Sequence, residues 1–207
     1  REAPEDDDRY YNSVVSLGRA PPQVYRKHHL VPFGESIPAK PVLGWLIRRV
    51  LAIPIADQTP GPAYPQPMEV AGQRVAVNIC YEDAFGGELI RQVPAATLLV
   101  NVTNDAWYGR SLAAEQHAQM AAMRAIESAR PMLRATNTGI TSIIDHHGVE
   151  RARLPWFTRG ILEGSMSGRT GATPYVRYGD ILATAAPTAV SGNARALCGR
   201  QRRLEPC

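Results

Sequence analysis

Residues 74–90 read RVAVNICYEDAFGGELI, and this stretch decides the fold class. Its first part, Arg74 to Cys80, is a short and almost continuously apolar run, which is typical of a strand buried on both faces. A second run of this kind follows at Thr97 to Val102, and a short helix is predicted between the two at Glu88 to Val93, ended by Pro94. Buried strands separated by helices predict an α/β layered domain.

The flanking segments continue this alternation. The clearest helix is predicted at Leu112 to Ala129, where apolar residues such as Met120, Met123 and Ile126 recur at helical spacing. The other predicted elements are a strand at Tyr10 to Leu17, an amphipathic helix at Trp45 to Ile53, a proline-rich loop at 54–68 and four strands at Met132 to Thr136, Ile140 to Asp145, Val149 to Leu154 and Ile161 to Met166. The second and third of these last strands are expected to form a hairpin.

Length and composition restrict the classes of protein. The 207 residues, of which 44% are hydrophobic and 20% charged, fit one soluble globular domain. The net charge of +4 comes from arginines scattered along the chain, which argues against a nucleic-acid footprint. Three cysteines, Cys80, Cys198 and Cys207, lack a metal-ligand spacing and are too few for a disulfide scaffold, so no metal or cofactor is expected. No apolar run approaches the ~18 residues of a spanning helix.

Cys80 is the first candidate for chemistry. It stands at the end of the predicted buried strand, and Tyr81, Glu82 and Asp83 lead from it through Phe-Gly-Gly into a helix. A strand-to-helix turn of this kind exposes a nucleophile beside backbone N–H groups that can hold an oxyanion. The alternative at this point is a small buried cysteine with no reaction to perform, and Asp83 would then be a turn or cap residue.

Residues 25–35, YRKHHLVPFGE, contain the second candidate. Lys27 lies eight positions before Glu35, across a turn, and it is one of only two lysines in a chain rich in arginine. A cation near a thiolate lowers the thiol pKa and stabilises the negative oxygen of a tetrahedral intermediate. Taken alone, a lysine such as Lys27 is more often a surface charge, and His28 and His29 are more often structural than catalytic.

The order of these motifs is more specific than any one of them. KHHLVPFGE at 27–35, NICYE at 78–82 and TNDAWYG at 103–109 follow one another at plausible spacings, and QHAQM at 116–120 and TNTGIT at 136–141 come after them. The chain thereby resembles, from about Tyr10 to about Asp180, the nitrilase-type domain of the apolipoprotein N-acyltransferase family.

The resemblance implies a fold and a set of site residues. The fold is a four-layer α-β-β-α sandwich, here incomplete at the N-terminus. Cys80 matches the family's nucleophile and Lys27 its catalytic lysine, while Glu35 and Glu82 match further acidic residues that family members need. The family's general-base glutamate lies well upstream of the lysine, so we expect this chain to lack it and to be inactive on its own.

The reaction implied by the resemblance is the transfer of an acyl chain from a phospholipid, through a Cys80 thioester, to the N-terminal diacylglyceryl-cysteine of an apolipoprotein. Lys27 and the backbone N–H of Tyr81 would hold the oxyanion. Trp107 and Tyr108 would line a lipid cleft, although packing explains Trp107 equally well. The enzyme would work at the bacterial inner membrane with its catalytic domain facing the periplasm, attached through membrane parts that this chain lacks.

Domain organisation and two alternatives complete the expectations. Residues 1–9 are predicted to be a disordered cut end, 10–180 a partial nitrilase-like domain and 181–207 an atypical or unstructured tail. The chain could instead be a catalytically dead fragment, or a soluble carbon-nitrogen hydrolase that shares Cys80 and Lys27. If the acyl-transfer hypothesis is right, Cys80 Sγ and Lys27 Nζ should lie about 3–6 Å apart, with Glu35 and Glu82 at the same cleft.

Overall fold

The structure, a computed structural model, describes residues 9–36, 58–181 and 184. The predicted helix at Trp45 to Ile53, the first four residues of the proline-rich loop, nearly all of the predicted cut end and nearly all of the predicted tail lie outside these ranges. Every structural statement below concerns the described residues.

Within the described ranges, eight strands form two sheets. Strands β1 (Ser13–Val15) and β2 (Val24–Arg26) pair as an antiparallel hairpin. The larger sheet has six strands in sequence order: β3 (Met68–Val70), β4 (Gln73–Ile79), β5 (Leu98–Thr103), β6 (Met132–Thr136), β7 (Ser142–Ile144) and β8 (Glu150–Arg153). Its three central strands, β4 to β6, run parallel, and the outer pairs are antiparallel. The predicted hairpin of the last two strands is thereby confirmed.

Two of the described helices lie between parallel strands in the sequence, and a third comes after the last strand. They are α1 (Gly86–Leu89), α2 (Ala113–Ser128) and α3 (Pro174–Tyr178), with 3₁₀ helices at Cys80–Ala84 and Asp105–Tyr108. Each 3₁₀ helix begins within two residues of the end of a parallel strand, β4 or β5. Because β4 and β5 are neighbours with Ile79 opposite Val102, both 3₁₀ helices lie at the same edge of the sheet. The two predicted apolar runs that end at Cys80 and Val102 are thus neighbouring strands of one sheet.

The two faces of the large sheet bury different partners. Alternate residues such as Ala76 and Leu99 pack against α1 and α2, whereas Val75, Val77 and Ile79 pack with Tyr25 of the hairpin. This alternation follows from the two-residue period of a strand. The described residues therefore stack as a helix layer, the six-stranded sheet and the hairpin, and the predicted α/β fold class is confirmed.

Helix α2 matches its predicted position, but its buried face differs from the one expected. The face against the sheet consists of small residues, Ala114, Ala118, Ala121 and Ala125, at spacings of four, three and four. Met120, Met123 and Ile126, which suggested the helix, are between 41% and 48% exposed. The alanines bury without side-chain entropy loss and let the helix backbone approach the sheet closely, so the stripe of larger residues remains on the outer side.

The strand predicted at Ile161 to Met166 is wrong. This segment has no regular structure, and Ile161 is 87% exposed. Gly160 and Gly164 weaken any strand here. A Cβ on Gly164 would lie 2.7 Å from Ile143 Cδ1, so the chain passes close over the sheet. The strand predicted at Tyr10 to Leu17 exists, but it is only the three residues of β1.

Gly61 packs closely against the backbone at Arg26 and Lys27, and its substitution tests how much this contact contributes to stability. Its N–H donates to the Lys27 carbonyl at 2.8 Å, and a Cβ at this position would lie 2.2 Å from the Arg26 carbonyl oxygen. Because that neighbour is backbone, the strand or the loop must shift, and we expect Gly61→Ala to lower the free energy of unfolding by about 1–3 kcal/mol. Urea titration measures the change. Gly18→Ala, where a Cβ meets nothing within 4 Å, is the control and should change stability by less than about 0.5 kcal/mol.

Candidate active site

Cys80 occupies a strained turn at the edge of the large sheet. Its φ is +55°, in the left-handed region that residues other than glycine rarely adopt. Strain of this kind persists where surrounding contacts enforce it, and it concentrates at functional sites. The Cys80 carbonyl accepts a hydrogen bond of 3.0 Å from Nδ2 of Asn101, which lies on the neighbouring strand. The thiol is free and half-buried, as a nucleophile at a strand end requires.

Lys27 follows β2 and is not a surface charge, because its side chain is completely buried. Its Nζ lies 2.6 Å from Oε2 of Glu35. Glu35 also accepts hydrogen bonds from Nδ2 of Asn12 at 2.9 Å and from the Val31 N–H at 2.9 Å. Burial alone would raise the pKa of Glu35, but the hydrogen bonds from Lys27 and Val31 and the charge of Lys27 outweigh it and hold the pKa below its usual value. The carboxyl group of Glu35 is therefore ionised at neutral pH.

The structure brings Lys27 to the loop that carries Cys80. Nζ of Lys27 lies 6.0 Å from the centre of the ring of Tyr81, the residue after the cysteine. Burial and then the charges of Glu88, Glu35 and Cys80 raise the pKa of Tyr81, so Glu35 and Cys80 also act on this ring. The separation of Cys80 Sγ and Lys27 Nζ, and the oxyanion role of the Tyr81 N–H, stay predictions.

Glu82 ties the lysine segment to the cysteine turn. One of its oxygens accepts hydrogen bonds from the N–H groups of His28 at 2.8 Å and His29 at 3.0 Å. The other accepts from the Tyr25 hydroxyl at 2.8 Å and the Ile79 N–H at 2.7 Å. With both oxygens engaged and the side chain buried, Glu82 has the contacts of a residue that positions the site.

His28 and His29 make structural contacts, as their sequence context suggested. Nδ1 of His28 lies 2.8 Å from the Gly61 carbonyl, and Nδ1 of His29 lies 2.9 Å from Oε1 of Glu88. The His29 ring stacks on Phe85 with 3.7 Å between ring centres. His29 thus contacts Phe85 and Glu88, which follow the cysteine turn, and His28 contacts the Gly61 segment. Both contacts are structural.

Trp107 and Tyr108 lie in the 3₁₀ helix that follows β5, at the same sheet edge as Cys80. Burial, followed by the charges of Cys80, Asp105 and Asp83, raises the pKa of Tyr108. Tyr108 is therefore close enough to the cysteine to interact electrostatically. Trp107 is 84% exposed, so the packing alternative for this ring is not supported, while a lipid-contacting role for Trp107 and Tyr108 remains a prediction.

Sequence reasoning missed the polar groups beneath the turn. Asp83, expected to be a turn or cap residue, is fully buried and bonded to Arg134. Asn101 donates to Asn78 as well as to the Cys80 carbonyl and accepts from Arg134 at 2.8 Å. The available signal was one asparagine within each apolar strand, Asn78 in β4 and Asn101 in β5, because a buried amide requires partners.

Among the described residues, no helix combines the length and apolarity needed to cross a membrane.

Relatives of the chain were identified by sequence and by structure. The carbon-nitrogen hydrolase family model matches residues 1–175. An apolipoprotein N-acyltransferase from Nitrosomonas europaea is 52% identical over 205 residues, which are 98% of this chain and 41% of that protein. One from Methylococcus capsulatus is 51% identical over 173 residues, 84% of this chain and 34% of that protein. The chain thus spans about two fifths or less of the length of these curated relatives.

Two solved structures share the fold. The NitFhit protein of C. elegans superimposes with a TM-score of 0.51 at 19% identity, over 75% of this chain and 37% of that one. A carbon-nitrogen hydrolase from Helicobacter pylori G27 gives a TM-score of 0.51 at 15% identity, over 72% and 54%. These two likenesses concern the fold, and the curated relatives that the chain matches are apolipoprotein N-acyltransferases. The family match over 1–175 shows that the chain belongs to the carbon-nitrogen hydrolase family.

Proposed function

We propose that this chain is the acyl-transfer domain of an apolipoprotein N-acyltransferase, in which Cys80 carries the acyl group as a thioester. The observation that carries the proposal is the buried Lys27–Glu35 pair beside the strained Cys80 turn. Isolation from water strengthens the interaction of a cation with developing negative charge. The high identity to apolipoprotein N-acyltransferases supports the choice of reaction within the family.

In the first half-reaction, a general base takes the thiol proton and the sulfur attacks the ester carbonyl of a phospholipid. Lys27 and the Tyr81 N–H stabilise the resulting oxyanion. Collapse of the tetrahedral intermediate breaks the ester C–O bond, and the lysophospholipid leaves as its alcohol after taking up the proton. The base is, by resemblance to the family, a glutamate upstream of Lys27.

In the second half-reaction, the α-amine of the diacylglyceryl-cysteine of an apolipoprotein attacks the thioester. An amide bond forms, the C–S bond breaks and the amine proton returns to the base, which regenerates the thiol. Trp107 and Tyr108, exposed at the same sheet edge, would contact lipid. The site would face the periplasm at the bacterial inner membrane. A soluble amidase would share Cys80 and Lys27 but would not need lipid.

Thioester trapping tests the proposal. A chimera in which this chain replaces the matched region of the Nitrosomonas europaea relative is incubated with phospholipid and quenched in acid, and peptide mass spectrometry locates the acyl group. We expect an acyl group on the Cys80 peptide of the chimera. The 207-residue chain alone should react about 10²–10⁴-fold more slowly if it lacks its positioned base.

The other outcomes separate the alternatives. A chimera that forms no acyl-enzyme although it is folded would favour a catalytically dead fragment. One that hydrolyses small amides but takes no acyl group from phospholipid would favour a carbon-nitrogen hydrolase. Efficient acylation of the isolated chain would mean that the base lies within these 207 residues.

A further inference from the structure

Four charged side chains are buried together beneath the Cys80 turn: Asp83, Asp105, His117 and Arg134. Arg134 lies 2.9 Å from Oδ2 of Asp83 and 3.2 Å from Oδ2 of Asp105. His117 Nδ1 lies 2.9 Å from Oδ1 of Asp105, and Nε2 lies 3.0 Å from Oδ1 of Asp83, the latter an ion pair without a well-aligned hydrogen bond. Each carboxylate contacts both cations, so the four groups form a closed ring, here called the ionic ring.

The ionic ring joins the two loops of the candidate site. Asp83 belongs to the 3₁₀ helix that begins at Cys80, and Asp105 begins the 3₁₀ helix that carries Trp107 and Tyr108. His117 lies on α2 and Arg134 on β6, which are packed parts of the core. Arg134 also holds Asn101, whose amide donates to the Cys80 carbonyl. The ring thus anchors both loops to the same rigid elements.

A buried ring of charges contributes little net free energy to the stability of a fold. The desolvation of four charges offsets much of their mutual attraction, and apolar residues of similar volume often serve stability as well or better. What the ring does supply is a single geometry, because every member has fixed partners. The reactive turn, with its left-handed Cys80, needs such a restraint.

We propose that the ionic ring positions the Cys80 turn against the 3₁₀ helix that carries Tyr108. Protonated His117 is the positioning residue that closes the ring. This inference rests on the proposed function, because it assigns the ring a part in the reactivity of the same thiol. With His117 charged, two carboxylates face two cations and the ring is neutral. A neutral imidazole has no charge for the ion pair with Asp83 and keeps only one N–H, which can donate to Asp105, so deprotonation opens the ring on the Asp83 side.

The surroundings of His117 favour its charged form. Burial by itself would lower the pKa of His117, but its contacts with Asp105 and Asp83 outweigh burial and the repulsion of Arg134 and raise the pKa from 6.5 to about 9. Two other titratable or charged side chains among the described residues face the ionic ring. The centre of the Tyr108 side-chain ring lies 6.4 Å from that of the His117 imidazole, and Arg124 donates to the Asp83 and Ala84 carbonyls. The ring should therefore remain closed at neutral pH and open as the pH rises through about 9.

The first measurement is an NMR titration of the full chain carrying Cys80→Ala, which removes thiol ionisation. The His117 ring and the backbone amides of positions 80, 81 and 107 are followed from pH 6 to 10.5. We expect the His117 ring and these amides to change together with a midpoint near 9. In Cys80→Ala/His117→Gln, the transition at these amides should be absent. Amides that stay unchanged while His117 titrates would overturn the proposal, and this holds even if the His117 variant does not fold.

The second measurement is the rate of Cys80 alkylation by iodoacetamide at pH 7.5, read at the Cys80 peptide. We expect His117→Gln to react about ten-fold more slowly because the turn loses its fixed geometry. Glu115→Gln, which removes an exposed ion pair with Arg153 from the same helix, is the control and should match the wild type. Equal rates in all three proteins would overturn the proposal. Because alkylation needs neither lipid nor apolipoprotein, failure of acyl transfer alone would count against the proposed function and not against the ring.

Discussion

Replacing Cys80 with alanine in the chimera is expected to abolish both the acyl-enzyme and the transfer of its acyl group. Without the sulfur no thioester forms, and the direct attack of the amine on a phospholipid ester has no covalent route, so the rate should fall by at least about 10³-fold. The measurement is acyl transfer from labelled phospholipid to a lipoprotein-derived diacylglyceryl-cysteine peptide, together with the mass of the quenched enzyme.

Two variants show that the loss comes from chemistry. Cys198→Ala removes a different cysteine and should retain full activity. Cys80→Gly should be as inactive as Cys80→Ala but more stable by up to about 1 kcal/mol, because glycine tolerates the φ of +55° found at this position. Residual transfer by Cys80→Ala above about a tenth of the wild-type rate would exclude Cys80 as the nucleophile.

The fold was predictable where local pattern and tertiary packing agree. Strand β4 is buried on both faces, while β5 is buried on one face and half-buried on the other, so each appears as an apolar run. Strand β6 occupies the predicted residues Met132 to Thr136. At Ile161 to Met166 apolar residues lie in an irregular segment, with which no strand in the described part of the chain pairs. Composition alone does not contain that information.

The site was predictable in so far as its partners are close in the sequence. Lys27 and Glu35 are eight residues apart across a tight turn, and the structure joins them. The members of the ionic ring come from four separate elements, and Arg134 lies 51 residues from Asp83. Single-sequence patterns do not identify such pairs. Gly139 lies against the ionic ring, because a Cβ at this position would lie 2.0 Å from Oδ2 of Asp105. The sequence shows the glycine, but only the structure shows that a larger residue would collide with Asp105.

Lys27→Met is expected to slow acyl-enzyme formation in the chimera by about 10²–10³-fold, the usual cost of removing a buried group that stabilises an oxyanion. It should also lower the free energy of unfolding by about 1–3 kcal/mol, since Glu35 loses its ion-pair partner. In the wild type the lowered pKa of Glu35 stabilises the fold above the pKa of the unfolded state, about 4.5, and this contribution is lost as the pH falls through the folded-state value. In Lys27→Met the effect of burial should dominate and raise that pKa, which urea titrations between pH 3 and 7 measure.

The double variant Lys27→Met/Glu35→Gln separates the two consequences. Removing the carboxylate charge along with the ammonium leaves no uncompensated ion in the site, so stability and its pH dependence should return most of the way to the wild type. Activity should not return, because no cation then faces the oxyanion. A double variant that recovered acyl transfer within about ten-fold of the wild type would show that Lys27 only neutralises Glu35, and the oxyanion role would pass to backbone N–H groups alone. A double variant that is stable and inactive places the lysine charge in the reaction itself.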